Sequence, residues 1–324
     1  MADIVITEFL DQNSLRDMKK THDVHYGPDL VDRREELLAA LGQTRAIIVR
    51  NRTWVNQELL DAAPRLQVVG RVGVGVERID QEACKARGVA VCPAFGANAI
   101  TVAEYTIAAL LLAWRGAFLA SQRVIDGDWP RQEMIGYDLS GKTLGLIGFG
   151  NIGRAVAKRA RAFDMTVIAS DPYIRPEESA WDELGVRPVA LESVLRESDA
   201  VSLHAPLTEE TRHIIDASAI AAMKPGALLI NTSRGGTVDE AAMIAALHSG
   251  QLGGAAIDVF EREPLTAETG AAFAGVPNLI LTPHIAGLTE ESNQRVSAVT
   301  VENVLHVLAQ GEGENENENE AKPS

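Results

Sequence analysis

Short runs of β-branched and aliphatic residues alternate along this chain with longer stretches of mixed apolar and polar residues. Runs at 4–7, 46–49, 66–70 and 89–92 each adjoin a segment of helical spacing. That alternation predicts a parallel α/β arrangement, because parallel strands need crossover helices to join them. A second series, at 143–148, 165–170, 200–203, 227–231, 254–257 and 279–281, supplies about six strands, enough for a full doubly wound sheet. Between the two series, residues 101–124 form one long pattern with few breakers, which predicts a helix carrying the chain from one domain to the next. A further helical pattern at 290–308 comes too late for the second sheet and is expected to return to the first. The first domain is then discontinuous, 1–98 plus 288–310, around a second domain at 99–287.

Composition supports two domains, since 324 residues exceed what one hydrophobic core usually organises. The 46% hydrophobic and 23% charged content is ordinary for a globular chain. The longest apolar stretch, 107–114, is too short to cross a bilayer and lies beside Glu104 and Arg115. The start, MADIVITEFL, has no basic region leading into an apolar run, so a cytoplasmic location is expected. The two cysteines, Cys84 and Cys92, fit a reducing compartment and make no metal motif. A formal charge of −15 speaks against nucleic acid or an anionic membrane as partner, since both require a positive surface. Five of the acidic residues belong to the tail at 311–324, whose Glu and Asn content cannot repay the entropy of ordering, so it is expected to be disordered.

The segment KTLGLIGFGNIGRAVAKRARAF places Gly148, Gly150 and Gly153 in GxGxxG spacing after an apolar strand and before an amphipathic helix. In that context the first glycine permits the tight turn, the second lets backbone approach a pyrophosphate, and the third lets helix pack on strand. Amides of Asn151 and Ile152 are then expected to face phosphate at the positive end of the helix dipole. The next strand ends in Asp171, 21 residues beyond Gly150. A carboxylate there accepts from a ribose and repels a 2′-phosphate, which selects NAD. The expected fold class is therefore α/β with two doubly wound parallel-sheet domains, a Rossmann nucleotide domain inserted in a discontinuous flavodoxin-like substrate domain.

Three loops at strand ends carry polar residues: NTSRGG at 231–236, DVFEREP at 258–264 and TPHIAG at 282–287. Ligands in such sheets bind at the carboxyl ends of strands, so Arg234, Asp258, Glu263 and His284 are candidates to converge. Reduction of a 2-oxoacid needs a proton donor, a charge to polarise the carbonyl and a clamp for the carboxylate. His284 is the natural acid/base, Glu263 its supporting carboxylate, and Arg234 the planar fork for the acid. Each also reads alone as an ordinary loop histidine, solvated charge or surface ion-pair partner; their concurrence beside a dinucleotide fingerprint favours catalysis.

On these motifs, from about residue 46 to 304, the chain resembles the D-isomer-specific 2-hydroxyacid dehydrogenases. VVGRVGVGVERID is similar to that family's substrate loop and LGLIGFGNIGR to its nucleotide turn, while MKPGALLINTSRGGTVDE, GGAAIDVFEREP and TPHIAG are similar to its catalytic stretches. The resemblance implies Arg234, Glu263 and His284 as catalytic trio. It also implies Asp258 near the nicotinamide carboxamide and Ala205 beside the cofactor, with Thr232, Ser233 and Gly287 on the cofactor side of the same loops. Val74 and Gly75 fall in the loop whose amides hold the substrate carboxylate, Val74 also within reach of cofactor. A homodimer formed through the nucleotide domains is likewise implied. Glu77 stands where the family usually has Asp, and Asn51 where phosphoglycerate dehydrogenases tend to have Ser.

Arg50, Arg52 and Arg71 add positive charge at ends of first-domain strands, so a second anionic group on the substrate is expected. Arg50 and Arg71 match positions used for phosphate in phosphoglycerate dehydrogenases, and Asn51 beside them is a further substrate-binding candidate; VRNRT, DWPRQ and HIAGLTEESN look more like sulfolactate dehydrogenases. Ordinary surface ion pairs are the competing reading of these arginines. A rival from a different class is an NAD-responsive binding protein on the same scaffold, as in the family's transcriptional co-repressors; the intact trio argues against it.

Overall fold

One compact unit is built from the chain up to Asn98 together with the chain from Leu288, and a second from Ala99–Gly287. The computed structural model describes residues 2–320, the last ten by backbone alone. The acidic tail at 311–324, expected to be disordered, lies outside the residues described in full.

In the first unit β1 (Ile4–Ile6), β2 (Val24–Tyr26), β3 (Ala46–Val49), β4 (Val68–Arg71) and β5 (Ala90–Pro93) form a parallel sheet of order β2-β1-β3-β4-β5. This is the flavodoxin-like order. The central strands read as continuous apolar runs because both of their faces are covered. Val5, Ile47, Val49 and Val69 pack with Leu37, Leu59 and Leu60 on one side. Ile4, Ile6, Ile48 and Val68 pack with Leu15, Val296, Val304 and Leu308 on the other. The last three of these bring the helix Glu290–Glu320 into this unit, where the Thr300 hydroxyl donates to the Arg71 carbonyl at 3.1 Å.

The second unit holds β6 (Thr143–Ile147), β7 (Thr166–Ser170), β8 (Val186–Pro188), β9 (Ala200–Leu203), β10 (Ala227–Asn231), β11 (Leu252–Ile257) and β12 (Leu279–Leu281). All pair in parallel in the order β12-β11-β10-β9-β6-β7-β8. Strand order reverses between β6 and β9, and such a switch point is where open α/β sheets leave a crevice for ligand. The helix Ala99–Arg115 belongs to this unit, and its Ala103, Ile107, Leu110 and Trp114 share a core with Val156 and Ala160 of the helix Asn151–Ala162.

Two differences from the sequence pattern have local causes. The first sheet has five strands instead of four and the second seven instead of six, because β2 and β8, three residues each at an edge and interrupted by His25 and Arg187, carry no continuous apolar run to register. The helix expected over 101–124 stops at Arg115, since Gly116 turns left-handed at φ 55°, and a 3₁₀ turn Ala117–Ala120 and a short helix Ser121–Ile125 follow. Among the described residues no single helix is long and apolar enough to cross a membrane.

Candidate active site

β11 delivers Asp258 and, five residues on, Glu263; β12 delivers His284; β10 delivers Arg234. All four lie past the carboxyl ends of neighbouring strands. Asp258 is buried and gathers the His284 loop around its carboxylate. One oxygen accepts from the Thr282 hydroxyl at 2.6 Å and the Ile285 amide at 2.8 Å, the other from the Ala286 amide at 2.8 Å. The His284 amide donates to the Asp258 carbonyl at 2.9 Å, and the residue is held at φ 55°, a left-handed conformation that few non-glycine residues adopt. So placed, its Nδ1 meets Glu263 Oε2 at 2.7 Å. Glu263 is fixed in turn by the Phe260 amide, which donates to Oε1 at 2.9 Å.

The electrostatics follow from that geometry. The Glu263 carboxylate holds the His284 imidazole above its ordinary range, against burial and the nearby Arg234 charge, which pull the other way. Burial is the largest influence on Glu263 and raises it, but the bonds from His284 and the Phe260 amide together hold it below the usual carboxylate range. Such an imidazole stays protonated to higher pH, with Nδ1 committed to the carboxylate and Nε2 left to exchange a proton elsewhere.

The Arg234 loop is organised by residues the sequence reading did not single out. The Asn231 side chain accepts from the Ser233 amide and hydroxyl at 3.0 and 2.8 Å and donates to the Arg234 carbonyl at 2.9 Å. The hydroxyl of Ser233, a residue expected on the cofactor side, donates its hydrogen to Asn231. Gly235 lies flush on the Phe260–Glu261 peptide, where a Cβ would fall 1.8 Å from the Phe260 carbonyl carbon. Glu240 and Glu261 each accept the other's backbone amide, at 2.7 and 3.3 Å, and His213 Nε2 lies 3.2 Å from Glu261. These contacts tie the Arg234 loop to the Glu263 loop, and the Arg234 charge lowers both Glu263 and His284 slightly.

At the switch point Gly148 has φ 96° and faces the His204–Ala205 peptide, which an added Cβ would approach to 2.8 Å. A Cβ on Gly153 would lie 2.3 Å from the Gly148 carbonyl oxygen, whereas Gly150 faces open space. The helix Asn151–Ala162 starts at Gly150 with no side-chain cap, leaving its first amides, Asn151 and Ile152 among them, without a capping partner. Phe149 anchors the turn: its buried ring stacks on Trp181 at 4.2 Å and its amide donates to Asp171 Oδ2 at 2.8 Å. The other Asp171 oxygen accepts from the Tyr173 amide at 3.0 Å.

Arg50, Asn51, Arg71, Val74 and Gly75 all lie in the first unit, Arg71 as the last residue of β4 and the others past the ends of β3 and β4. The three arginines differ in what holds them. Arg52 is exposed and paired with Asp32. Arg71 folds back on its own loop, donating to the Val72 and Gly75 carbonyls. Arg50 is half-buried; its Nη2 donates to Asn293 Oδ1 at 2.8 Å and its guanidinium lies 5.4 Å from the Phe9 ring centre. Burial holds its pKa below the usual arginine value, against the opposing charge of Glu8.

Residues 107–286, more than half of the chain, match the family model described as "D-isomer specific 2-hydroxyacid dehydrogenase, NAD binding domain". The chain belongs to that family. A curated relative, (S)-sulfolactate dehydrogenase of Chromohalobacter salexigens, is 49% identical over 308 residues, 95% of this chain and 99% of that one. Among solved structures, the TT0316 protein from Thermus thermophilus is similar at a TM-score of 0.84 and 35% identity, covering 95% of this chain and 97% of that one. D-lactate dehydrogenase from Aquifex aeolicus, complexed with NAD and lactic acid, is similar at a TM-score of 0.79 and 30% identity, covering 96% of each chain.

This 2-hydroxyacid dehydrogenase is thus an NAD-dependent oxidoreductase that transfers a hydride to or from a 2-hydroxy or 2-oxo acid. Its second unit fits the cofactor on three counts: the glycine turn leaves an open approach at Gly150, the following helix has uncapped amides, and two buried polar atoms lack protein partners. Those atoms are His204 Nδ1 and Thr232 Oγ1, past the ends of the adjacent strands β9 and β10. Burial pushes the His204 imidazole down to about 3, so it is neutral there and adds no positive charge.

Replacing the carboxylate in Glu263→Gln removes the charge that raises His284. Its ring resonances, followed by NMR across a pH series, are expected to titrate at lower pH than in the native protein; an unmoved titration would separate the two residues electrostatically.

Proposed function

We propose that the substrate is a three-carbon 2-hydroxy or 2-oxo acid carrying a second anionic group, of the 3-sulfolactate or 3-phosphoglycerate type. The observation that carries this reading is Arg50: among the described residues its half-buried guanidinium meets an amide and an aromatic ring but no carboxylate within ion-pair distance. A guanidinium offers five donors in a planar fork, and one used by Asn293 leaves capacity for a sulfonate or phosphate. The similarity to a sulfolactate dehydrogenase over nearly the whole chain supports the same class.

In this reading Arg234 grips the substrate carboxylate and 2-oxo oxygen and stabilises charge developing on that oxygen. In the first unit, the amides of the loop with Val74 and Gly75 are candidate donors to a carboxylate. His284 donates its Nε2 proton to the oxygen during reduction and takes it back during oxidation, while Glu263 keeps the imidazole protonated and oriented. NAD, when bound, supplies or accepts the hydride. On this chain's side, the Asn151 and Ile152 amides would bind pyrophosphate, Asp171 would accept from ribose, and Ala205, Thr232, Ser233 and Gly287 would lie on the cofactor side. Asp258 already accepts three hydrogen bonds and has about one lone-pair site left for a carboxamide. Reduction needs protonated His284, so its rate falls as pH rises through the raised imidazole pKa; in Glu263→Gln that fall moves to lower pH.

The active form is a homodimer, and its location the cytoplasm, in keeping with two unpaired cysteines. Dimerisation is supported by the second unit's residues 117–137, where Phe118, Leu119, Ile125, Trp129, Ile135 and Tyr137 are all exposed, Ile125 by 75% and Trp129 by 71%. So many large apolar side chains on one short segment mark an interaction surface.

NADH oxidation with sulfopyruvate, phosphohydroxypyruvate, glyoxylate and pyruvate tests the substrate class. A doubly charged acid is expected to exceed the others in kcat/KM by about tenfold or more, the worth of one charge-assisted contact; preference for pyruvate or glyoxylate would refute it. Sedimentation equilibrium is expected to give twice the 34.8 kDa chain mass, and a monomer mass would remove the dimer.

A further inference from the structure

Past β3 the backbone amides of four consecutive residues turn toward one point. Arg50 donates to Glu8 at 2.9 Å, Asn51 at 3.3 Å, Arg52 at 3.1 Å and Thr53 at 3.0 Å, and the Thr53 hydroxyl adds a bond of 2.8 Å. Converging amides at a strand end make a ready cradle for an anion. Here the anion is the protein's own, for Glu8 is only 5% exposed. Burial pushes its carboxyl up, and the amides and hydroxyl outweigh that and keep it ionised. The loop amides are therefore already consumed, and a second anionic group on a substrate in this region has to be met by side chains.

Arg50 is the side chain available, and both of its ends are fixed. Its amide is pinned to Glu8, and its Nη2 to the Asn293 side-chain oxygen at 2.8 Å. The nature of that second partner matters. Two residues along, Arg52 is neutralised by the carboxylate of Asp32. Asn293 accepts the same kind of hydrogen bond without charge, so it aims the guanidinium and leaves its positive charge unspent.

We propose that Glu8 and Asn293 are specificity-determining positioning residues: Glu8 occupies the amide cradle and fixes the base of Arg50, and Asn293 directs its head, so that selectivity for a doubly charged acid depends on all three. This deepens, and rests on, the reading of the substrate as a dianion.

The test compares kcat/KM for sulfopyruvate and for pyruvate in the native protein and in Asn293→Asp, Asn293→Ala and Glu8→Gln, with thermal melting as a control on folding. Asn293→Asp keeps shape and acceptor but supplies the charge that closes off Arg50. It is expected to lower the sulfopyruvate-to-pyruvate ratio at least tenfold, mainly through KM for sulfopyruvate. Asn293→Ala is expected to lower it less, and Glu8→Gln to lower it through a loosened loop. A native enzyme that prefers sulfopyruvate and keeps that preference in Asn293→Asp overturns the inference, as do equal losses on both substrates, which a purely structural role would give. A native enzyme without the preference overturns instead the substrate reading on which it rests.

Discussion

A single buried carboxylate, Asp258, holds the chemistry of the second unit in place. Its two oxygens collect the Thr282 hydroxyl and the amides of Ile285 and Ala286, so the loop after β12 wraps around a fixed negative charge. His284 sits inside that wrap in a left-handed conformation it would not choose freely. The strain serves a geometric end, presenting Nδ1 to Glu263 at 2.7 Å. Asp258 comes from the end of β11, between β10 and β12, so the sheet itself sets the spacing of the loops. A parallel sheet buried on both faces has little freedom to slide, and it passes its precision to whatever hangs from its strand ends.

The parts that were legible in the sequence are those where local chemistry and position coincide. GxGxxG after an apolar run has few other uses, and the structure gives Gly148 the positive φ and Gly153 the close approach that the spacing implies. Arg234, Glu263 and His284 stood out as candidates because each lies in the loop after a strong strand signal, and the structure pairs two of them, Glu263 and His284. What stayed hidden was the scaffolding. Asn231 is the last residue of β10 and reads as a strand end, yet its side chain shapes the whole Arg234 loop. Glu240, Glu261 and His213 lie 21 and more residues apart along the chain and meet only once the strands are paired. Glu8 follows the short strand β1 and was not singled out. Nothing local marks a carboxylate that will receive amides more than 40 residues away.

Charge illustrates the same limit. Three arginines at strand ends added positive charge in the sequence, and the fold treats each differently: Arg52 pairs with Asp32, Arg71 returns to its own loop, and Arg50 meets the neutral side chain of Asn293. Which arginine keeps its charge for a ligand is decided by its tertiary neighbours, and no count of basic residues contains that. Two short edge strands, β2 and β8, escaped for a related reason, since His25 and Arg187 interrupt them where the equally short β12 is wholly apolar. β2 and β8 have three residues each, and pairing with an established neighbour, not intrinsic pattern, makes them strands.

The unity of the imidazole and its carboxylate is the claim on which the catalytic reading depends, and a double-variant cycle addresses it directly. The rate of oxoacid reduction would be measured for Glu263→Gln, His284→Ala and the two combined. If Glu263 acts only through His284, the combined variant is no slower than His284→Ala alone, because the carboxylate has nothing left to orient or charge. Losses that multiply in the combined variant would contradict the pairing and give Glu263 a separate role.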